Sequence, residues 1–191
     1  MDISREFLQQ VKEIVCSCEP IMTRAFTVAE KGSASNLVTT SDTAVQEMLK
    51  EKLGELLPQA VFLGEETESE ASEALMWVVD PIDGTSNFVR GMRLSAISVA
   101  LVEDGEEVLG VVYNPFTKDM FSAVKGNGAY WNDIRLHVSD RDFQHSLFFT
   151  AFSVYDKKLA PQCMEVLRRI YPRCDDFRRI GTASLELCYL A

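Results

Sequence analysis

The run Trp77-Val78-Val79-Asp80-Pro81-Ile82-Asp83-Gly84-Thr85-Ser86 carries the residues best suited to chemistry. An apolar strand leads straight into two aspartates three positions apart, then into a Gly-Thr-Ser turn. This spacing gathers two carboxylates, and the carbonyl of the residue between them, at one strand end. Donor sets made only of oxygen suit Mg²⁺ rather than zinc or copper. Backbone N–H groups of a Gly-Thr-Ser turn suit a phosphate. The combination implies a metal-dependent phosphatase.

A second acidic run, Gly64-Glu65-Glu66, follows the short apolar stretch Ala60-Val61-Phe62-Leu63. Alone, either acidic run also reads as a turn, because Asp, Pro and Gly favour turns for local reasons. Together, each behind its own strand, they point to one metal site shared by Glu65, Asp80 and Asp83. Parallel neighbouring strands would bring these ends side by side. Asp42 is a fourth candidate, but it lies near a helix start, where position alone favours Asp42 or Ser41 as the cap. His137 and His145 flank strands outside this constellation and read as structural or exposed.

The elements that must hold these groups follow from hydrophobic period. Ile3, Phe7, Val11, Ile14, Cys18, Ile21 and Ala25 recur at helical spacing, with Asp2 or Ser4 as cap and Pro20 breaking the run. Lys31–Asn36 reads as a polar loop. A helix from about Asp42 puts Val45, Met48, Leu49, Leu53, Leu56 and Leu57 on one face and stops at Pro58. Thr67–Glu73 reads as an acidic solvent loop. A meander follows: Ser95–Val102, a turn at Glu103–Glu106, Val108–Tyr113, Met120–Val124, Ala129–Trp131 and Ile134–Val138. Beyond it come a strand at Leu147–Ala151, a helix at Leu159–Ile170, a strand at Phe177–Ile180 and a helix open at Ala191. The order implies an α+β fold of layered elements. The last turns lack a Gly or Pro stop, so a fragment of a longer protein is expected.

Composition bounds the partners. The 191 residues are 47% hydrophobic and 25% charged, with net charge −10. An acidic chain disfavours nucleic acid or an anionic membrane as main partner. It leaves room for an anionic substrate, because bound Mg²⁺ inverts the local sign. The five cysteines include no C-x-x-C pair. They read as free thiols of a reducing compartment, and the chain as cytoplasmic. There is no signal-peptide pattern and no apolar run near the roughly 20 residues a membrane span needs.

Gly64-Glu65-Glu66 followed by Asp80-Pro81-Ile82-Asp83-Gly84-Thr85-Ser86-Asn87-Phe88 resembles the inositol monophosphatase family of Mg²⁺-dependent, lithium-sensitive phosphatases. Segments similar to the family extend on both sides. They are Lys31 through Asp42, Leu109–Tyr113, Lys125–Ala129, and Arg178-Arg179-Ile180-Gly181-Thr182-Ala183-Ser184. The resemblance implies a layered α-β-α-β-α sandwich, a homodimer and two or three Mg²⁺ ions. Domain organisation would run as residues 1–140, carrying the metal site, and 141–191, the start of an incomplete second α/β half. Glu65, Asp80, Asp83 and the Ile82 carbonyl would bind metal. Asp42, Thr85 and Glu65 would serve catalysis, the first two by aiming the attacking water. Gly84, Thr85 and Ser86 would hold phosphate. Asp83 and the Ala183 backbone would meet the alcohol part of a small phosphate ester.

One departure stands out. The family's later Trp-Asp signature, whose aspartate completes the second metal site, does not occur here; Trp77 and Trp131 precede Val78 and Asn132. Weak or no turnover is therefore expected of these residues alone. Inositol monophosphate is the first substrate expectation. Behind it stand 3′-phosphoadenosine 5′-phosphate, fructose 1,6-bisphosphate, and a non-catalytic metal- or phosphate-binding regulator. Apolar surface near Leu185, Leu187 and Leu190 is expected to lie uncovered.

Overall fold

The computed structural model describes residues 3–24, 26–33, 36–65, 74–152 and 156–191. The chain opens with α1 (Arg5–Ser17), whose first turn is capped by the Ser4 hydroxyl accepting the Phe7 N–H at 3.1 Å. Pro20 starts a separate short helix, α2 (Glu19–Met22), so the predicted break is present. The segment read as a loop is different. It contributes to two antiparallel strands, β1 (Val28–Ser33) and β2 (Asn36–Thr39). Polar residues carry no alternation there, so hydrophobic period had nothing to register.

Then come α3 (Thr40–Leu56), β3 (Val61–Gly64), β4 (Leu75–Asp83), α4 (Thr85–Val89) and β5 (Ala96–Glu103). The meander continues through β6 (Glu106–Asn114), β7 (Asp119–Val124), β8 (Gly128–Trp131) and β9 (Ile134–Arg135). The last strand stops short of the Val138 expected. The acidic stretch at 66–73 lies outside the described residues. Strands β3 to β9 form one seven-stranded sheet in sequence order. Only β3 and β4 pair in parallel; every other neighbour is antiparallel. The chain closes with β10 (Leu147–Phe149), α5 (Ala160–Ile170), β11 (Asp176–Arg178) and α6 (Ala183–Leu190), where β10 and β11 make a parallel pair of their own.

Helices α1 and α3 cover one face of the sheet. Val11, Val15, Val45, Leu49 and Leu53 pack there with Trp77, Leu101 and Val111, all 0% exposed. Burial of this apolar area is the main force fixing β4 in place. The opposite face is covered more thinly: Leu185 packs on Ala96 and Phe121 of the sheet, with Val112, Leu136 and Cys188 against them. Leu185 is therefore buried, against expectation, because it is the α6 residue that docks on the sheet. Leu187 and Leu190 are exposed as expected. Among the described residues no helix is long and apolar enough to cross a membrane.

Candidate active site

The parallel pairing of β3 and β4 sets the site. Gly64 registers with Val79, and the Glu65 N–H donates to the Val79 carbonyl at 3.2 Å. Glu65 and Asp80 thus leave neighbouring strands at the same level, as the sequence predicts. On its other side β4 bulges against β5. Asp80 registers with Ser98 and Asp83 with Ala96, so three steps on β4 face two on β5. Such a bulge re-aims side chains, and Pro81 suits it because the bulge leaves a backbone group unpaired. The Asp80 carboxylate accepts the Ile82 N–H at 3.1 Å.

After Asp83 the chain must turn sharply into α4. Gly84 does this with φ 82° and ψ 38°. Any Cβ there would also lie 2.3 Å from the Thr182 hydroxyl oxygen. Glycine is required on both counts. The Thr85 hydroxyl donates to the Ile82 carbonyl at 3.0 Å, and that oxygen keeps a second lone pair for another partner. First-turn N–H groups of α4, at Thr85 and Ser86, are the donors a helix start leaves for an anion.

Asp42 joins the group from α3. Neither Asp42 nor Ser41 is the cap; Thr39 is. Its hydroxyl receives the Ser41 and Asp42 N–H groups, and the Asp42 carboxylate reaches back to the Thr39 N–H at 2.7 Å and hydroxyl at 2.5 Å. This capping box buries Asp42 and holds it rigidly. Glu65 lies near enough to help raise this carboxyl, and Asp42 in turn helps raise Asp80, so capping and site membership coincide.

The acids repel one another. Burial first, then Asp83, Glu65 and Asp42, push the Asp80 carboxyl up to about 7. Burial likewise raises Asp42, although its bonds to Thr39 oppose the shift. Among the described residues no three of these side chains close into a ligand cluster. The donor chemistry fits a hard divalent ion: only oxygens, several carboxylates, and one half-buried acid whose charge is destabilised by its neighbours.

A cavity of about 430 Å³ opens beside these groups. Glu65, Asp80, Ile82, Asp83, Gly84, Thr85 and Ser86 line it, with Thr182, Ala183 and Glu186 across from them. Of the sequence-derived site residues, all but Asp42 line the cavity. His137 and His145 are exposed and lie outside it.

Three residues of the site, Asn87, Thr182 and Glu186, are given no role by the sequence, although Asn87 and Thr182 lie in segments that resemble the family. The Asn87 amide donates to the carbonyls of Leu94 (2.9 Å) and Ile180 (2.8 Å) and to the Thr182 hydroxyl (3.2 Å). Thr182 in turn donates to Leu94 at 2.5 Å. The Glu186 carboxylate accepts the N–H groups of Ile180 (2.6 Å) and Gly181 (2.9 Å). These bonds tie the turn before α6 to the turn after β4. They place the Ser184 N–H 2.6 Å from the Asp83 carboxylate. Ala183, next to Ser184, lines the same cavity as Asp83.

Comparison with known proteins agrees with this architecture. The Nus factor SuhB of Pasteurella multocida is 37% identical over 163 residues, covering 83% of this chain and 61% of the relative. The chain spans less than two thirds of the length of the curated relatives it matches. The extragenic suppressor protein suhB of Bartonella henselae superposes with a TM-score of 0.88 at 29% identity, over 96% of this chain and 73% of that one. An IMPase of Thermotoga maritima gives 0.86 at 28% identity, over 97% and 72%. A model of the inositol monophosphatase family matches residues 2–191, and the chain belongs to that family.

Proposed function

We propose that this chain carries the metal and phosphate side of a Mg²⁺-dependent phosphatase for small phosphate monoesters, with inositol monophosphate the first substrate to test. The observation that carries this reading is the Asp80 environment: a half-buried acid pushed up to about 7 beside Asp83, Glu65 and Asp42, at the edge of a cavity that a helix start also faces. Glu65, Asp80, Asp83 and the Ile82 carbonyl would hold the ions. Bound Mg²⁺ supplies charge neutralisation for the attacking and leaving oxygens and an acidified water.

The chain's own groups do the rest. Asp42 and the Thr85 hydroxyl orient the water, Asp42 accepting its proton. The N–H groups of the Gly84-Thr85-Ser86 turn hold phosphate oxygens. Asp83 and the Ala183 backbone meet the alcohol part. Glu65 joins catalysis through the metal it holds.

Phosphate release from inositol 1-phosphate, with and without Mg²⁺, tests this. It should be measured on this chain and on the complete reading frame that contains it. The expected result is Mg²⁺-dependent release by the longer polypeptide that Asp83→Asn abolishes, with weak or no release from these residues alone. No release from either polypeptide with inositol, nucleotide or fructose phosphates would end the phosphatase reading. The name Nus factor borne by its relatives favours a second reading, a regulatory protein that binds a partner without turnover. Intact function of an Asp83→Asn protein in the cell would support that second reading.

A further inference from the structure

The cavity has two kinds of lining: the acids at the end of β4, and Phe152, Lys157 and Arg179 from the segments around β10, α5 and β11. Ser184 is not among the lining residues, yet it is bonded to one of the acids. It is the second residue of α6, and its N–H is the group that donates to the Asp83 carboxylate. Its hydroxyl oxygen is buried and, among the described residues, has no hydrogen-bond partner. A buried polar atom left this way bears its full desolvation cost. Among the described residues the Trp77 indole nitrogen is the other buried side-chain atom in that state. The Trp77 ring fills the core, which accounts for it. Nothing similar accounts for Ser184.

Local structure asks for no hydroxyl here. Alanine fills the site less one oxygen and is the better helix former. Thr182 holds the cap position of α6, so the Ser184 hydroxyl has no capping task. A serine inside a helix commonly bonds a carbonyl three or four residues back. Those residues are Gly181 and Ile180, in the turn before α6, and the Ile180 carbonyl already takes the Asn87 amide. The acceptor tied to this residue is Asp83. A carboxylate offers about four lone-pair sites, and the Ser184 N–H takes one of them. A step about χ1 carries a serine hydroxyl between staggered positions, some of them beside its own N–H. The helix is also pinned at this level. Leu185, the next residue, is buried and packs on Ala96, which pairs with Asp83 across the sheet.

We infer that Ser184 is a positioning residue for the metal site: its hydroxyl donates to the Asp83 carboxylate as that carboxylate takes the cation, and fixes its orientation. The inference rests on the metal reading of Asp83 given above. It explains the hydroxyl as a group that serves the ligand and not the fold. Hydrogen bonds from outside onto a metal-binding carboxylate are worth about 10–100-fold in affinity.

Calorimetric titration with Mg²⁺ tests this without turnover, on the wild-type chain, Ser184→Ala and Ser184→Thr. Ser184→Ala should weaken Mg²⁺ binding about 10-fold or more. Its melting temperature in a chelator should stay level or rise, because the atom removed had no partner. Ser184→Thr keeps the hydroxyl and should restore most of the lost affinity. A serine that serves only the fold would behave in reverse: Ser184→Ala would melt lower and bind Mg²⁺ as the wild type does, and that result would overturn the inference. Threonine as poor as alanine, at an unchanged melting temperature, would overturn it too, since the loss would not come from the hydroxyl. A wild type that binds no Mg²⁺ would end the metal reading and this inference with it. Binding that Asp83→Asn weakens and Ser184→Ala does not would remove the inference alone.

Discussion

The two walls of the cavity rest on different foundations. Asp80 and Asp83 end a strand whose Trp77 and Val79 are buried beneath α1 and α3. Lys157 and Arg179 extend from segments around α5 and β11, and α5 buries no residue at all. The carboxylate wall is held by the main core; the cationic wall is held by a short parallel pair and a few hydrogen bonds. Local opening costs least where few apolar contacts resist it. A site needing fixed metal geometry and an adaptable substrate side gains from this division.

The sharpest way to break the comparison is a pair of truncations. Leu49→Ala, in the core beneath β4, should cost about 2–5 kcal/mol by denaturant unfolding. Met164→Ala, on α5 and 56% exposed, should stay within about 0.5 kcal/mol. Similar losses at the two sites would show that the walls share one foundation.

The link between the walls is the next largest effect. Glu186→Ala removes the acceptor of the Ile180 and Gly181 N–H groups and should cost about 1–3 kcal/mol. Hydrogen exchange at those two amides should speed up, while amides of β4 should stay protected. Protection lost equally in β4 would mean that the turn supports the metal wall as well.

A smaller effect sharpens the electrostatics. Asp80 stands at about 7 in the folded chain against an ordinary 3.8. A raised carboxyl favours folding while protonated. Its contribution is full below the unfolded value and is lost as pH rises through about 7. Each pH unit in that window removes about 1.4 kcal/mol. The melting temperature of metal-free protein should therefore fall between pH 5.5 and 8. Mg²⁺ should raise it more at pH 8 than at pH 5.5.

Much of this design is legible in the residues. The meander is visible because Ser95–Val102 and Val108–Tyr113 alternate cleanly, with one face buried by the helices. The carboxylates are visible because each ends an apolar strand. What stayed hidden has physical reasons. Strands β1 and β2 are polar and short. The cap of α3 is Thr39 because a β-region residue before Thr40 is needed there, and Asp42 competes for notice as its reciprocal partner. Asn87 and Thr182 meet across 95 positions, and Glu186 bonds backbone that any sequence would offer. Such contacts exist only once the sheet has formed.

The most direct measurement is Mg²⁺ binding by calorimetry at pH 8, comparing the wild-type chain with Asp80→Asn and Asp83→Asn. Acids gathered around Asp80 to hold a cation predict saturable binding in the wild type. Each substitution should weaken it beyond the 10–100-fold typical of outer-shell changes. Wild-type binding that either substitution leaves intact, or none at millimolar Mg²⁺, would contradict a metal site at the end of β4.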